Sequence, residues 1–347
     1  MSVFDSHSFD EHELVHFEID PGTGLRTIIA VHSTALGPAC GGCRLWNYQS
    51  SHAALEDVLR LSRGMSYKNA LADIPLGGGK AVIIAEPEQK TPDLMRAFGR
   101  IVESLEGRYI TAEDVGITVE DMQIVAERTS HVHGLPHQHS AGGDPSPYTA
   151  QGVYQGMKAA LMHLIGQSDF RGIRVLVQGV GSVGYNLCKL LHASGAEVLV
   201  TDIDDCKLQR VGSELPVEIV HVDDFLKPQI DIFAPCAMGA VLNDETIPAL
   251  TAQIIAGGAN NQLAKPEHGE MLRDRGILYA PDYVINAGGI INVWSEMERL
   301  PCEAVVAKIA RIYDTTLRVF EEADARGLAS DHVADEMAEA VIRCKAA

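Results

Sequence analysis

Residues 173–184 constrain the fold of this chain more than any other stretch. Ile173-Arg-Val-Leu-Val-Gln178 reads as a buried parallel strand, because its apolar residues are nearly continuous. It runs directly into Gly179-Val180-Gly181-Ser182-Val183-Gly184, which opens a helix predicted over 185–194. A second apolar strand, 197–201, ends at Asp202, 23 residues after the first glycine of the turn. A lone G-x-G-x-x-G pattern is weak, but strand, turn, helix and following acid together form a dinucleotide-binding signature. Gly179 permits the tight turn, and Gly181 lets the backbone approach a pyrophosphate at the helix N-terminus, where unpaired N–H groups favour anions. Gly184 lets helix and strand pack closely. Val180, Ser182 and Val183 complete the cofactor-binding loop. Asp202 would hydrogen-bond the adenosine ribose hydroxyls and repel a 2′-phosphate, so the expected cofactor is NAD rather than NADP.

Further β-α units follow, with strands expected at 231–234, 253–256 and 277–280. The alternation implies an α/β fold with a doubly wound parallel sheet. At 347 residues the chain suggests about two domains. The first part reads differently: a hairpin of 14–19 and 25–32 joined by Asp20-Pro-Gly-Thr-Gly24, and a tight glycine-rich segment at Gly37-Pro-Ala-Cys-Gly-Gly-Cys-Arg44. Then come a helix over 52–72, a strand at 81–85, a helix opened by Thr91-Pro92, a strand at 109–112 and a helix over 118–128. Residues 131–147 hold four histidines with several Gly and Pro, and form the expected linker. The chain ends in helices predicted over 287–298, 302–326 and 330–344, the second burying Val306, Ile309, Tyr313, Leu317 and Phe320 on one face.

The formal net charge of −19 argues against nucleic acid or an anionic membrane as partner. No apolar run reaches the roughly 18 residues needed to span a bilayer, and residues 1–20 lack the basic start of a targeting peptide, so a cytoplasmic location is expected. Seven cysteines make no disulfide framework. Cys40-Gly-Gly-Cys43 has redox or zinc spacing without a second pair, and small residues beside a close ligand or backbone explain it better. His131, His133, His137 and His139 lack a carboxylate or cysteine spaced to complete a metal site, so no metal is expected.

The chemistry points to 65–114. Lys68 shares a helix face with Leu61, Met65 and Ala72, Lys80 stands between three glycines and an apolar strand, and Asp114 follows another apolar strand. Buried charges are costly unless paired or used. A lysine suits a substrate carboxylate, and a buried lysine near another cation can act as a base with an aspartate passing protons. With a nicotinamide, the simplest reaction is hydride transfer at a carbon next to a carboxylate. A buried Lys68–Asp114 salt bridge would account for two charges but not for Lys80.

These motifs resemble the Glu/Leu/Phe/Val amino acid dehydrogenases over nearly the whole chain. The matching blocks include Gly41-Gly-Cys-Arg44, Tyr67-Lys68-Asn-Ala, Gly77-Gly-Gly-Lys80, Thr111-Ala-Glu-Asp114, Gly143-Asp-Pro-Ser-Pro-Tyr-Thr-Ala150, Pro235-Cys-Ala-Met-Gly-Ala240, Gly258-Ala-Asn-Asn-Gln262 and Asp282-Tyr-Val-Ile-Asn-Ala-Gly-Gly-Ile-Ile-Asn292. The resemblance implies reversible NAD-dependent oxidative deamination of an L-amino acid to a 2-oxo acid and ammonia. It implies that Lys68 holds the substrate carboxylate, Lys80 is the catalytic base and Asp114 relays protons. Thr149, Ala237 and Asn261 would lie along the cofactor, with Asn260 near its nicotinamide end and Arg44 reaching it. Cys40, Gly41, Ala112, Ile290 and Val293 would join Asn260 around the substrate, and their apolar lining suits leucine, valine or isoleucine. Cys40 departs from the leucine usual in the branched-chain enzymes, and this smaller residue could admit phenylalanine or tryptophan. The implied organisation is a catalytic and oligomerisation domain over 1–137, joined by a C-terminal helix at 328–347, and a Rossmann NAD-binding domain over 138–327. A cleft closing about the 131–147 hinge and a homo-oligomer, dimer or octamer, are expected with it. The rival outside enzymes is an NAD or amino acid sensor, which would need no proton relay.

Overall fold

The computed structural model describes residues 2–135, 144–237 and 239–346. The chain forms two compact units, Met1–Gly143 with Val293–Leu300 and Ala338–Ala347, and Asp144–Asn292 with Pro301–Met337.

The first unit opens with β1 (Leu14–Asp20) and β2 (Leu25–Ser33), the antiparallel hairpin expected from their turn residues. Then follow β3 (Ala39–Trp46), α1 (Ser51–Leu71), β4 (Gly77–Ile84), α2 (Pro92–Ser104), β5 (Tyr109–Ala112) and α3 (Val119–Ala126). Among the described residues they make a five-stranded sheet of order β1-β2-β4-β3-β5. Thr91 caps α2 through Leu94 N, and Thr118 and Asp121 form a reciprocal capping box on α3. Two sequence expectations change here. The glycine-rich segment is a central strand, β3, parallel to both β4 and β5, and β4 starts at Gly77 rather than after the glycines. The glycines belong to the sheet because neighbours crowd them: a Cβ on Gly79 would meet the Tyr109 ring at 2.7 Å. One face of the sheet packs on α1 through Val58, Leu59 and Val82, the other on α2 and α3 through Phe98, Met122 and Ile83.

The second unit runs α4 (Ser146–Ile165), β6 (Arg174–Gln178), α5 (Ser182–Ala193), β7 (Glu197–Thr201), α6 (Asp205–Glu214), β8 (Glu218–Ile219), β9 (Ile232–Pro235), α7 (Thr246–Ala249), β10 (Ile254–Ile255), α8 (Glu267–Asp274), β11 (Leu278–Tyr279) and α9 (Asp282–Ile285). Its described strands form an all-parallel sheet of order β11-β10-β9-β6-β7-β8, the expected doubly wound arrangement. The two-residue edge strand β8 has no apolar run to announce it; both its residues are exposed. α10 (Gly288–Met297), α11 (Cys302–Ala310), α12 (Ile312–Arg326) and α13 (Ser330–Ala346) follow. The single helix expected over 302–326 is two, interrupted at Arg311. The buried face runs through Val305, Ile309, Ile312, Thr316 and Phe320; Val306 is 45 % exposed, and Tyr313 and Leu317 are half-buried. Of the expected linker, Val132 bridges Thr111 at the sheet edge, and 146–147 already belong to α4. His137 and His139 lie outside the described residues; His131 and His133 flank the bridge, their backbones bonded to Thr111.

Candidate active site

Lys80 sits in the middle of β4, 7 % exposed, and its strand neighbour on β2 is Ala30. Asp114 follows β5 by two residues and brings its carboxylate to Lys80, with Nζ to Oδ2 2.5 Å. A third charge joins them: Arg44 on β3 places Nε 3.4 Å from the same oxygen and Nη1 2.8 Å from Asp57 Oδ2. Burial would push the Asp114 carboxyl up, but the charges of Lys80 and then Arg44 outweigh it and hold the group below its usual range. The carboxylate's partners are therefore Lys80 and Arg44 rather than Lys68. Gly42 makes the approach possible, since a Cβ there would lie 2.5 Å from the Glu113 carbonyl and 2.9 Å from Asp114 Cβ.

Lys68 lies in the last turn of α1, half-buried, where the helix C-terminus favours a cation. Cys40, fully buried, pairs across the sheet with Gly78 and Ile110; Gly41 pairs with Thr111 and Gly42 with Ala112. The buried Tyr109 hydroxyl donates to the Gly41 carbonyl at 2.7 Å and fixes this part of β3. Burial pushes the Cys40 thiol up to about 12 and the Cys43 thiol well above its ordinary value, so both stay protonated. That chemistry suits neither thiolate redox work nor a metal. Among the described residues no group of three metal-ligating side chains comes together.

In the second unit, Gly179 adopts φ +91°, and a Cβ on it would lie 2.6 Å from that of Ala237. Gly184 lies against the Gly179 carbonyl, and Val183 packs toward Gly258, where a Cβ would meet it at 2.7 Å. A Cβ on Gly181 would meet nothing within 4 Å, and Gly181 caps α5 without a side-chain bond. Ser182 begins that helix. Open space beside uncapped helix N–H groups is what a pyrophosphate requires, so these residues fit a dinucleotide. Asp202 stands at the end of β7, its Oδ2 accepting from Val180 N at 2.8 Å and its Oδ1 from Asp204 N at 3.0 Å. Asn260 Oδ1 accepts from Asn286 Nδ2 at 2.8 Å, a partnership that sequence reasoning missed although Asn286 stands in one of the family-like blocks. Asn261 has φ +52°, and its carbonyl accepts from Ala240 N. Thr149 donates to the Pro145 carbonyl, and a Cβ on Gly289 would lie 2.7 Å from its Oγ1. Ile290 and Val293 are half-buried on α10, Ile290 in the second unit and Val293 in the first.

The chain thus has the parts of a dinucleotide-dependent dehydrogenase. Residues 12–131 match the Glu/Leu/Phe/Val dehydrogenase dimerisation domain, and residues 200–305 match the Glutamate/Leucine/Phenylalanine/Valine dehydrogenase model. The chain is 51 % identical to the leucine dehydrogenase of Thermoactinomyces intermedius, over 98 % of this chain and 93 % of that one. It is 48 % identical to the phenylalanine dehydrogenase of Bacillus thermotolerans, over 96 % and 89 %. The crystal structure of the L-tryptophan dehydrogenase from Nostoc punctiforme aligns with a TM-score of 0.84 and 46 % identity, covering 96 % of each chain. The chain belongs to the Glu/Leu/Phe/Val dehydrogenase family and is an amino acid dehydrogenase.

Proposed function

We propose that the protein catalyses reversible, NAD-dependent oxidative deamination of a branched-chain L-amino acid, leucine, valine or isoleucine, to the 2-oxo acid and ammonia. The observation that carries this reading is the buried Lys80–Asp114 pair, 2.5 Å apart, in a chain 51 % identical to a leucine dehydrogenase. The nicotinamide, when bound, accepts the hydride from the substrate Cα. Lys68 binds the substrate carboxylate as a point charge and fixes the α-carbon. Lys80 takes a proton from the substrate ammonium and passes it through Asp114 to solvent; it then takes one from the water that adds to the imino acid and gives it to the amine nitrogen as ammonia leaves, while Asp114 accepts the hydroxyl proton of the adduct. Gly179, Gly181 and Gly184 shape the backbone that receives the pyrophosphate, and Asp202 selects NAD by its charge. Thr149, Ala237 and Asn261 line the cofactor, and Asn260 is held for the reacting end by Asn286. The proton relay favours an enzyme over a sensor.

Cys40 supports a second reading, aromatic substrates, because a smaller residue at the apolar pocket leaves room for a ring. The pocket discriminates by only about 1–3 kcal/mol per methylene, so breadth is expected. A homo-oligomer, dimer or octamer, is supported by the match of residues 12–131 to a dimerisation domain. A cytoplasmic location is part of this proposal; separately, among the described residues no helix is long and apolar enough to cross a membrane. The test is the purified protein with NAD and a panel of L-amino acids at alkaline pH, followed by NADH absorbance. Fastest turnover on leucine, valine and isoleucine bears the reading out. Preference for phenylalanine or tryptophan selects the second reading, and silence on all of them removes both.

A further inference from the structure

Three strands of the first unit each send one charge to the same point. Lys80 comes from β4, Asp114 from the end of β5 and Arg44 from β3. Lys80 and Asp114 have chemical roles in the proposed reaction, whereas the family resemblance sets Arg44 along the cofactor. Its side chain, 19 % exposed, lies between two carboxylates instead, ion-paired with Asp114 and hydrogen-bonded to Asp57. Nε faces Asp114 Oδ2 at 3.4 Å, and Nη1 donates to Asp57 Oδ2 at 2.8 Å. The Asp57 carboxylate is itself anchored: the Tyr48 hydroxyl donates to Oδ2 at 2.7 Å, and Arg60 reaches Oδ1 at 3.2 Å. Asp57 lies on α1, the helix that carries Lys68. A guanidinium is planar and presents its donors in a rigid fork, so it can serve two carboxylates at once, which an ammonium on a flexible stem does poorly.

We propose that Arg44 is a positioning residue: it ties Asp114 to Asp57 on α1, and so keeps the Asp114 carboxylate ionised and aimed at Lys80. This rests on the deamination reading above for its chemistry. The titratable groups facing Asp114 are Lys80 on β4, Arg44 and Cys43 on β3 and Tyr109 on β5; Asp57, Tyr48 and Arg60 act through Arg44. Of these, Lys80 and Arg44 bring positive charge to it directly. Lys80 and Asp114 form an ion pair, and a neighbouring cation favours the ionised carboxylate.

The experiment is a pH profile of kcat/KM for Arg44→Gln, Arg44→Lys and Asp57→Asn, with the KM for NAD measured alongside. In Arg44→Gln the acid limb moves to higher pH by about one unit, kcat at its plateau falls about tenfold, and the KM for NAD stays put. Arg44→Lys restores the limb, because the charge returns, but not kcat, because the fork does not. Asp57→Asn leaves the limb in place and lowers kcat, and it carries the test if Arg44→Gln does not fold. A purely structural role would not separate limb from kcat in this way. An unmoved limb in Arg44→Gln, a limb displaced as far in Arg44→Lys as in Arg44→Gln, or wild-type kcat in Asp57→Asn overturns the proposal. A raised KM for NAD with an unmoved limb assigns Arg44 to the cofactor instead. If the wild-type protein turns over no amino acid, the functional reading fails by itself. The positioning role is then read from unfolding: the loss of folded stability on acidification through the carboxylate range must be smaller in Arg44→Gln than in wild type, and an equal loss overturns it.

Discussion

Gly78 touches Ser66 so closely that a Cβ on Gly78 would collide with the Ser66 amide nitrogen and hydroxyl. This contact sets the spacing between β4, which carries Lys80, and α1, which carries Lys68. Gly78→Ala must push the helix off the strand, and overpacking of this kind costs about 1–3 kcal/mol. Urea unfolding should show that loss, with turnover falling further than stability alone explains. Gly64, also in α1, has open space where a Cβ would stand, with nothing within 4 Å, so Gly64→Ala should stabilise by about 0.5–1 kcal/mol. Equal effects at the two glycines would refute the spacing argument.

Lys80→Ala removes the proposed base and leaves the second unit's glycine turn untouched. Turnover should drop by about a thousandfold, while NAD still binds by fluorescence titration. Turnover within a few-fold of wild type would remove Lys80 from the mechanism.

Asp202 binds two backbone N–H groups, those of Val180 in the glycine turn and of Asp204 after β7. Asp202→Ala should weaken NAD and lift the repulsion against a 2′-phosphate, narrowing the preference for NAD over NADP about tenfold. Comparison of kcat/KM for the two cofactors checks this. A wild-type protein that used both equally would show that Asp202 does not discriminate.

Folded stability should decline from pH 6.5 toward 4. Burial, and next the charge of His32, push the His12 imidazole down to about 4, and its Nδ1 accepts from Asp10 N while Nε2 faces Leu59 O and Ser62. Above pH 6.5 both folded and unfolded forms are neutral at this residue. Below it the unfolded chain binds a proton that the folded chain refuses, so about 3 kcal/mol is lost by pH 4. Burial also lowers His32, adding in the same direction. Thermal unfolding of His12→Gln against pH should give a flatter acid side, and an unaltered slope would rule the residue out.

The placement of the glycine turn and of Asp202 beside it was legible because it is written in consecutive residues and a fixed interval. Lys80 and Asp114 were legible as charges on otherwise apolar segments. β3 was not, since its glycines carry no strand propensity and are there only because Gly79 and Asp114 crowd them. The break at Arg311 was hidden because apolar periodicity continues on either side of it. Arg44's partners were hidden for a different reason. Asp57 and Asp114 lie on other elements, and strand order, which local pattern does not encode, brings the three together.

The Tyr67 hydroxyl donates to Glu339 Oε1 at 2.9 Å, across 272 residues of chain. Tyr67 precedes Lys68, so the helix bearing both has one of its anchors in a segment made long after it. During synthesis, the first unit therefore waits for the whole of the second to emerge before this tether can close. Final anchoring of α1 is in this way subordinated to completion of the second unit, an order of assembly built into the path of the chain.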